Sequence, residues 1–154
     1  MLVLTFQIGR DRLALDVRRV KEVVPSVQLQ QVAGSPTWLA GVFIYRGYVV
    51  PVIDLHRLVG VEDYPHHLST RVILVPHSVQ GKERLVGLLA AQVAEIREME
   101  APRQERPHVV NPDAPDLGPV VVDGREIIHM LNLDRLLPDS YQKHLTQVPR
   151  ELPA

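Results

Sequence analysis

Two segments of this chain, about 75 residues apart, carry the same pattern, and this internal repeat constrains the fold more than any other feature. Residues 47–58 read GYVVPVIDLHRL, and residues 124–136 read GREIIHMLNLDRL. The upstream segments also match, since LALDVRRVKEV at 13–23 resembles LVGLLAAQVAEI at 85–96. Each half is too short to bury a sufficient core of its own. The repeat therefore predicts two similar small units packed around a shared core.

The first copy of the pattern predicts a β-hairpin. Residues 41–45 and 48–53 are apolar and rich in β-branched and aromatic side chains, which is typical of strands. Arg46 and Gly47 lie between them as a two-residue turn, and Gly47 is free to adopt a positive φ. By the same reasoning, further hairpins are expected over residues 2–17, 71–91 and 120–131.

A short helix is expected after each repeated hairpin. Asp54 precedes the sequence LHRL and Asn132 precedes LDRL, where either side chain can accept hydrogen bonds from the free amides of a helical turn. We therefore interpret Asp54 and Asn132 as helix N-caps. Their equivalence argues against acid–base chemistry at this position, because an amide does not exchange a proton as a carboxylate does.

The remaining segments suggest how the chain is organised. Residues 97–119 carry many prolines and charges and predict a long irregular loop. We expect one all-β domain over residues 1–138, built from two interleaved barrel subdomains, approximately 15–70 and 71–138 plus the N-terminal strand. Closed barrels suit many short apolar strands because they leave no unpaired strand edge. Residues 139–154 are expected to form a C-terminal tail.

The composition excludes several classes of function. The chain has no cysteine, which rules out disulfides, iron–sulfur clusters and thiol catalysis. Its 17 basic and 18 acidic residues leave a net charge of −1, so nothing attracts it electrostatically to nucleic acid or anionic lipid. The N-terminus lacks the basic flank of a signal peptide, and its apolar run is far shorter than the roughly 18 residues that a membrane span needs. We expect a cytoplasmic protein that neither binds nucleic acid nor inserts into a membrane.

The sequence carries no signature of catalysis or of a cofactor. It lacks a nucleophile elbow, a phosphate-binding glycine loop, a dinucleotide fingerprint and a zinc-binding HExxH motif. The adjacent His66 and His67 would point to opposite sides of an extended chain, and no carboxylate recurs at ligand spacing, so we expect no metal site. We therefore expect a protein that is not an enzyme. The alternative is a double barrel that binds a small ligand or substrate in the groove between its two units.

Three residues have two interpretations at this stage. Arg46 is a lone cation between two apolar runs. It is either a solvated turn residue or a binding anchor, because an Arg that projects from a rigid turn beside apolar surface is common at interfaces. Val20 and Glu22 are either a core valine and a surface glutamate or part of an interface, and composition alone does not distinguish these readings.

Taken in order along the chain, these segments resemble the CheW-like domain of bacterial chemosensory systems. The resembling runs are FQIGRDRLALDVRRVKEVV, GVFIYRGYVVPVIDLHRLVG, LVGLLAAQVAEI and IIHMLNLDRLL, and the match extends from about Leu4 to Leu137. The resemblance implies two small five-stranded, SH3-like barrels around a shared core, with short helices. It also implies a non-catalytic adaptor that couples the cytoplasmic hairpin of a methyl-accepting chemoreceptor to the regulatory domain of a CheA-type histidine kinase.

The resemblance also assigns residues to partner binding. The Arg of the family's NLRG turn falls on Arg46, and the Gly that opens that strand falls on Gly41. The family's Val-x-Glu motif falls on Val20 and Glu22. These positions are associated in the family with receptor and kinase coupling, so the resemblance favours the interface interpretation for each of them.

The chain departs from the family pattern in two places. Ile44 and Tyr45 stand where the family usually has Asn-Leu, and Ala90, Ala91 and Gln92 replace Val-Asp-Gly. Loss of the Asn removes a polar contact and adds apolar area, so Ile44 and Tyr45 join the candidate partner-binding residues. Partner choice can then differ from that of flagellar chemotaxis, and a pilus-motility or surface-sensing array is an alternative setting. A module that competes with another adaptor for the same kinase is a further alternative.

Overall fold

The computed structural model describes residues 1–25, 27–60, 70–100 and 113–150. The strands in these ranges are β1 Leu2–Ile8, β2 Asp11–Asp16, β3 Glu22–Pro25, β4 Leu39–Tyr45, β5 Tyr48–Asp54, β6 Arg71–Val79, β7 Lys82–Glu98, β8 Val120–Asp123 and β9 Glu126–Met130. The helices are α1 Leu55–Leu58, α2 Leu133–Leu136 and α3 Asp139–Thr146, and a 3₁₀ turn spans Val17–Arg19. The described residues are thus mostly β, as the sequence predicts.

Strand β7 is 17 residues long and belongs to both halves of the fold. Its first part pairs with β5 and β6, and its last part pairs with β1. Barrel 1 therefore consists of β3, β6, the first part of β7, β5 and β4, in that order of neighbours. Barrel 2 consists of the last part of β7, β1, β2, β9 and β8. The predicted fold of two five-stranded barrels is confirmed.

The internal repeat has a direct structural meaning. In barrel 1, β5 pairs in parallel with β7, and in barrel 2, β9 pairs in parallel with β2. The parallel partners, β7 and β2, are the strands that match each other upstream of the repeated hairpins. The second strand of each repeated hairpin therefore docks on the upstream strand of the other repeat unit, so the two units are interleaved.

Both repeated hairpins end in a capped helical turn. The Asp54 carboxylate accepts hydrogen bonds from the backbone N–H groups of His56 at 3.0 Å and Arg57 at 3.3 Å. The Asn132 side chain accepts from the backbone N–H of Asp134 at 3.0 Å. These bonds satisfy amides that the first turn of a helix leaves without an intrahelical partner.

The buried apolar side chains form three clusters. The barrel 1 cluster contains Val50, Val52, Val72, Leu74 and Leu89. The barrel 2 cluster contains Val3, Ala14, Met99, Ile128 and Met130. The largest cluster takes side chains from both barrels and from all three helices, including Phe6, Leu13, Ile53, Leu55, Ile73, Leu88, Leu136 and Leu145. This shared core is the predicted common core of the two units.

The C-terminal segment packs more closely than a tail. The sequence places residues 139–154 outside the domain, whereas Leu145 and Val148 are buried in the shared core. The Trp38 ring stacks on Tyr141 with 5.5 Å between ring centroids. The segment therefore adds apolar surface to the core, and α3 is part of the folded unit.

Buried Arg84 of β7 holds this segment in place. Its guanidinium donates hydrogen bonds to the backbone carbonyls of Leu145 at 2.8 Å, Val148 at 2.9 Å, Pro149 at 3.2 Å and Val49 at 3.0 Å. One side chain thereby satisfies carbonyls at the end of α3 and joins them to the start of β5.

Candidate partner-binding surface

The β4–β5 hairpin presents Arg46 at its apex. Arg46 has φ +48° and Gly47 has φ +84°, as in a type I′ turn, whose twist matches that of the two flanking strands. The Arg46 side chain is exposed, and its guanidinium carbon lies 5.2 Å from the centre of the Tyr45 ring. This distance allows a cation–π contact, which favours one position of the cation above the ring.

Tyr45 connects the hairpin to β3. Its hydroxyl donates a hydrogen bond to the Glu22 carboxylate, and this bond raises the pKa of the Tyr45 phenol above its ordinary value. Because β3 and β4 are the two end strands in the order of barrel 1, this side-chain bond joins them at the rim. We call Glu22, Tyr45 and Arg46 the tip cluster.

Ile44 lies on the other face of the hairpin. Successive side chains in a strand point to opposite sides, so Ile44 is turned away from Tyr45. It pairs with Val49, which packs against the shared core, whereas Tyr45 packs against the barrel 1 cluster. Ile44 is 60% exposed, so it extends the shared-core face into solvent. The hairpin therefore offers a polar face and an apolar face.

Gly41 serves the backbone of the hairpin. It is buried with φ +148°, and a Cβ atom there would lie 2.7 Å from the Gln30 carbonyl oxygen. Gln30 and Val42 exchange two backbone hydrogen bonds, of 2.9 and 2.8 Å, directly beside this glycine. The absence of a side chain at Gly41 is what lets the two backbones approach so closely.

Val20 is half-buried and packs against the shared core. Among the candidate residues, the structure thus brings Glu22, Tyr45 and Arg46 together, leaves Ile44 on the opposite face, and places Gly41 inside the fold. The sequence analysis did not single out Tyr48, which is 41% exposed and pairs directly with Tyr45 across the turn. Its signal was available, since residues that flank a two-residue turn lie on the same face.

A metal site needs several ligating side chains in one place. Over residues 1–25, 27–60, 70–100 and 113–150, no three His, Asp or Glu side chains come together as possible metal ligands. His66 and His67 lie outside these ranges. Among the helices described, none has the length and apolar character needed to cross a membrane.

Comparison with known proteins identifies the family. The family model of the CheW-like domain matches residues 2–140. Chemotaxis protein CheW of Thermotoga maritima is 25% identical over 138 residues, which cover 89% of this chain and 87% of that protein. Chemotaxis protein CheW of Klebsiella aerogenes is 28% identical over 104 residues, or 68% of this chain and 60% of that protein.

A solved structure shows the same fold. The crystal structure of scaffolding protein TtCheW from Thermoanaerobacter tengcongensis superposes with a TM-score of 0.71 at 23% identity, over 86% of this chain and 84% of that one. The two barrels and the repeated hairpins are therefore arranged as in a known member of the family. Since the family model spans nearly the whole sequence, the chain belongs to the CheW-like domain family.

Proposed function

We propose that this chain is a non-catalytic cytoplasmic adaptor that couples the cytoplasmic tip of a chemoreceptor to a CheA-type histidine kinase. Membership of the CheW-like family supports this proposal. The observation that carries it is the tip cluster, in which an exposed Arg46 stands over Tyr45 while Tyr45 is bound to Glu22. An ordered cation beside an aromatic ring is a typical anchor of protein interfaces.

The surroundings of Arg46 favour binding over structure. Within the described ranges, no carboxylate forms an ion pair with Arg46, and its side chain is exposed. A residue that is held in place but unpaired keeps its charge available for a partner. The positive φ of Arg46 is unusual for a residue with a side chain, and it aims the guanidinium outward from a rigid turn.

The two faces of the hairpin suit two partners. The Ile44 face is apolar and continues from side chains that pack on the shared core, which suits burial of an amphipathic helical hairpin. The tip cluster is polar and charged and lies at the rim of barrel 1, which suits a barrel-to-barrel contact with the kinase regulatory domain. We assign the receptor to the first face and the kinase to the second.

In this proposal, Val20 and Gly41 act through the tip cluster. Val20 packs on the core two residues before Glu22 and so positions the start of β3. Gly41 sets the path of β4 by its close approach to Gln30. Substitutions at either position are expected to disturb binding by moving the surface and not by removing a direct contact.

Tyr45 distinguishes this chain from the usual family pattern. A leucine at this position has no hydroxyl, so it could not hold Glu22 against the hairpin. We infer that Tyr45 fixes a carboxylate that is free in relatives with leucine, and that this changes the charge pattern offered to the kinase. This feature supports a partner choice different from that of flagellar chemotaxis.

The test is co-sedimentation of the purified chain with a CheA-type kinase and a chemoreceptor cytoplasmic fragment from the same organism. Arg46→Glu is expected to lose the kinase and keep the receptor, whereas Ile44→Asp is expected to lose the receptor and keep the kinase. Arg10→Glu is the matched control, because Arg10 is an exposed arginine in the turn between β1 and β2. Thermal melting of each variant checks that it is folded.

Each outcome decides part of the proposal. If the wild-type chain binds neither partner, the adaptor function is wrong, and the groove between the barrels should be screened for small ligands. If Arg46→Glu and Arg10→Glu behave alike, the tip cluster is not the kinase surface. If both hairpin variants lose the same partner, the assignment of one face to each partner is wrong.

A further inference from the structure

A pocket of about 180 Å³ lies where the C-terminal segment meets barrel 1. Three cationic side chains from separate parts of the chain line it together with one acid, Glu83. The cations are Lys21 before β3, Arg84 in β7 and Arg150 after α3. The remaining lining residues are Tyr48, Pro76 and Leu85. The pocket therefore has an excess of positive charge, and the rest of its lining is apolar except for the Tyr48 hydroxyl.

Arg84 gives this pocket an unbalanced buried charge. Its side chain is more than nine-tenths buried, and its Nη1 and Nη2 groups donate only to neutral backbone carbonyls. In the parts of the chain that the structure describes, its Nε group has no hydrogen-bond acceptor and no carboxylate pairs with it. Buried charges in proteins are normally paired with an opposite charge. Burial and then the like charge of Arg150 lower the pKa of Arg84, which is the expected sign of an uncompensated cation.

We propose that this pocket binds a carboxylate group. A single negative charge would offset the repulsion between Arg84 and Arg150, and Lys21 and the Tyr48 hydroxyl can both donate hydrogen bonds to it. A phosphate dianion fits less well, because Glu83 would repel its second negative charge.

The carboxylate can be free or part of an acidic side chain of a partner. Tyr48 lies next to the Arg46–Gly47 turn, so a group bound in this pocket also reaches the β4–β5 hairpin. The proposal does not depend on the adaptor function, because it rests only on the charges and burial around Arg84.

The experiment is a titration of the full chain, followed through the arginine Nε–H signals in ¹H–¹⁵N NMR spectra. The probes are glutarate as a free carboxylate, a capped peptide with two glutamates as a side-chain source, inorganic phosphate, and chloride at equal ionic strength. We expect a saturable shift of the Arg84 signal with glutarate, the peptide or both. The same titration is repeated on the Glu151→Gln variant, which removes the acidic side chain that follows Arg150 in the sequence.

Substitutions locate the site without touching the structural Arg84. Lys21→Ala and Arg150→Ala are each expected to weaken carboxylate binding about fivefold, the loss of one charge-assisted contact. Lys82→Ala is the matched control, since Lys82 is exposed on the same hairpin as Arg84 but does not line the pocket.

The outcomes separate the possible ligands. Binding of the peptide supports a partner's acidic side chain, and binding of glutarate alone supports a free carboxylate. A linear response that chloride reproduces, or saturation by phosphate alone, overturns the proposal. If only the Glu151→Gln variant binds, the pocket serves the chain's own Glu151, and an external ligand is overturned.

Discussion

The β4–β5 hairpin and the β8–β9 hairpin occupy equivalent places in the internal repeat, and their strands are held in the same way. Each has a glycine six positions before its turn glycine, Gly41 in one and Gly118 in the other. Both have positive φ, and a Cβ atom would strike a backbone carbonyl oxygen in either case, at 2.7 Å for Gly41 and 2.0 Å for Gly118. Since both hairpins share this feature, we assign Gly41 to the scaffold.

The same two hairpins differ at their tips. Gly47 is the second residue of its turn, whereas Gly124, with φ +61°, is the first residue of the other, as in a type II′ turn. Arg97 of β7 pairs with Asp123 at 3.5 Å and Glu126 at 2.5 Å, so both carboxylates of the second tip are paired within the chain, while its turn arginine, Arg125, is exposed. At the first tip, the Tyr45 phenol joins the strands by its bond to Glu22, and Arg46 lies beside its ring.

The two hairpins share their scaffold and differ at their tips, so we infer that function lies at the tips. Both tips join the end strands of a barrel through side chains, by Tyr45 and Glu22 in barrel 1 and by Arg97 in barrel 2. Both turns carry an exposed arginine, and the first solution places its arginine, Arg46, beside the Tyr45 ring. The four predictions below test whether the scaffold is shared and whether the tips differ, in order of the expected effect.

The two scaffold glycines should show the largest effects. Gly118→Ala is expected to lower the free energy of unfolding by at least about 4 kcal/mol and Gly41→Ala by about 3 kcal/mol, because each forces a side chain into positive φ and against backbone. Urea unfolding measures both. Gly47→Ala and Gly124→Ala are the controls, with positive φ but open space, and should each cost about 1 kcal/mol. Equal losses at all four positions would show that close approach plays no part.

Loss of Arg84, which joins the C-terminal segment to the first hairpin, should have the next largest effect. Arg84→Met is expected to lower the free energy of unfolding by about 2–4 kcal/mol, because it leaves buried carbonyls of the C-terminal segment without donors. Exchange of the Val148 and Val49 amides, which donate to the Leu145 and Arg150 carbonyls, should accelerate with it. Slow exchange in this variant would mean that the stacking of Trp38 on Tyr141 holds the segment without Arg84.

The buried His77 of β6 should make stability depend on pH near neutrality. Burial lowers the pKa of His77 below the ordinary 6.5, and the positive charge of Arg19 lowers it further. The nearby Asp134 carboxylate has the opposite but smaller effect. The unfolded chain then binds a proton more readily than the folded chain does. The contribution of neutral His77 to the free energy of unfolding is therefore expected to be fully present above pH 6.5. It should fall as the pH drops from 6.5 toward the pKa of His77 in the folded chain. Urea titrations from pH 5 to 8 should show this slope in the wild type and lose it in His77→Leu.

The side-chain contacts that join the barrel rims should have the smallest effects on stability. Arg97→Met should move the urea midpoint less than Arg84→Met does, because its ion pairs are largely exposed. The hydrogen bond from Arg97 lowers the pKa of Glu126 below 4.5. The contribution of this ion pair to stability is therefore present above pH 4.5, and it is lost as the pH falls through the pKa of Glu126 in the folded chain. Tyr45→Phe should likewise move the urea midpoint only slightly, but it should change kinase binding. If Arg97→Met changes kinase binding as much as Tyr45→Phe does, the two tips do not differ in function.

Local features of this fold were predictable from the sequence because neighbouring residues determine them. The Arg46–Gly47 turn, the hairpin strands and the caps at Asp54 and Asn132 follow from turn chemistry, β-branched runs and free helix amides. Their positions in the structure match these rules. The assignment of Arg46, Glu22 and Val20 to a partner surface is still a prediction, since only a binding experiment tests it.

Features set by distant residues were not predictable in the same way. Nothing local to Tyr45 indicates that its hydroxyl reaches Glu22, because closure of the barrel brings them together. The C-terminal segment looked like a tail because its anchor, Arg84, lies 61 residues before Leu145. The length of β7 was missed because its continuous apolar run conceals the point at which it passes from one barrel to the other.

That single strand has a mechanical consequence. A 17-residue strand has a contour of roughly 55 Å, and β7 runs from one barrel to the other as one strand. Its pairing with β1 shifts register between Ala91 and Glu95, so a β-bulge lies where the strand changes barrel. The hydrogen-bonded ladders of both barrels are thus built on the same continuous backbone. A substitution that displaces β7 in one barrel is therefore expected to disturb the strand pairing of the other as well.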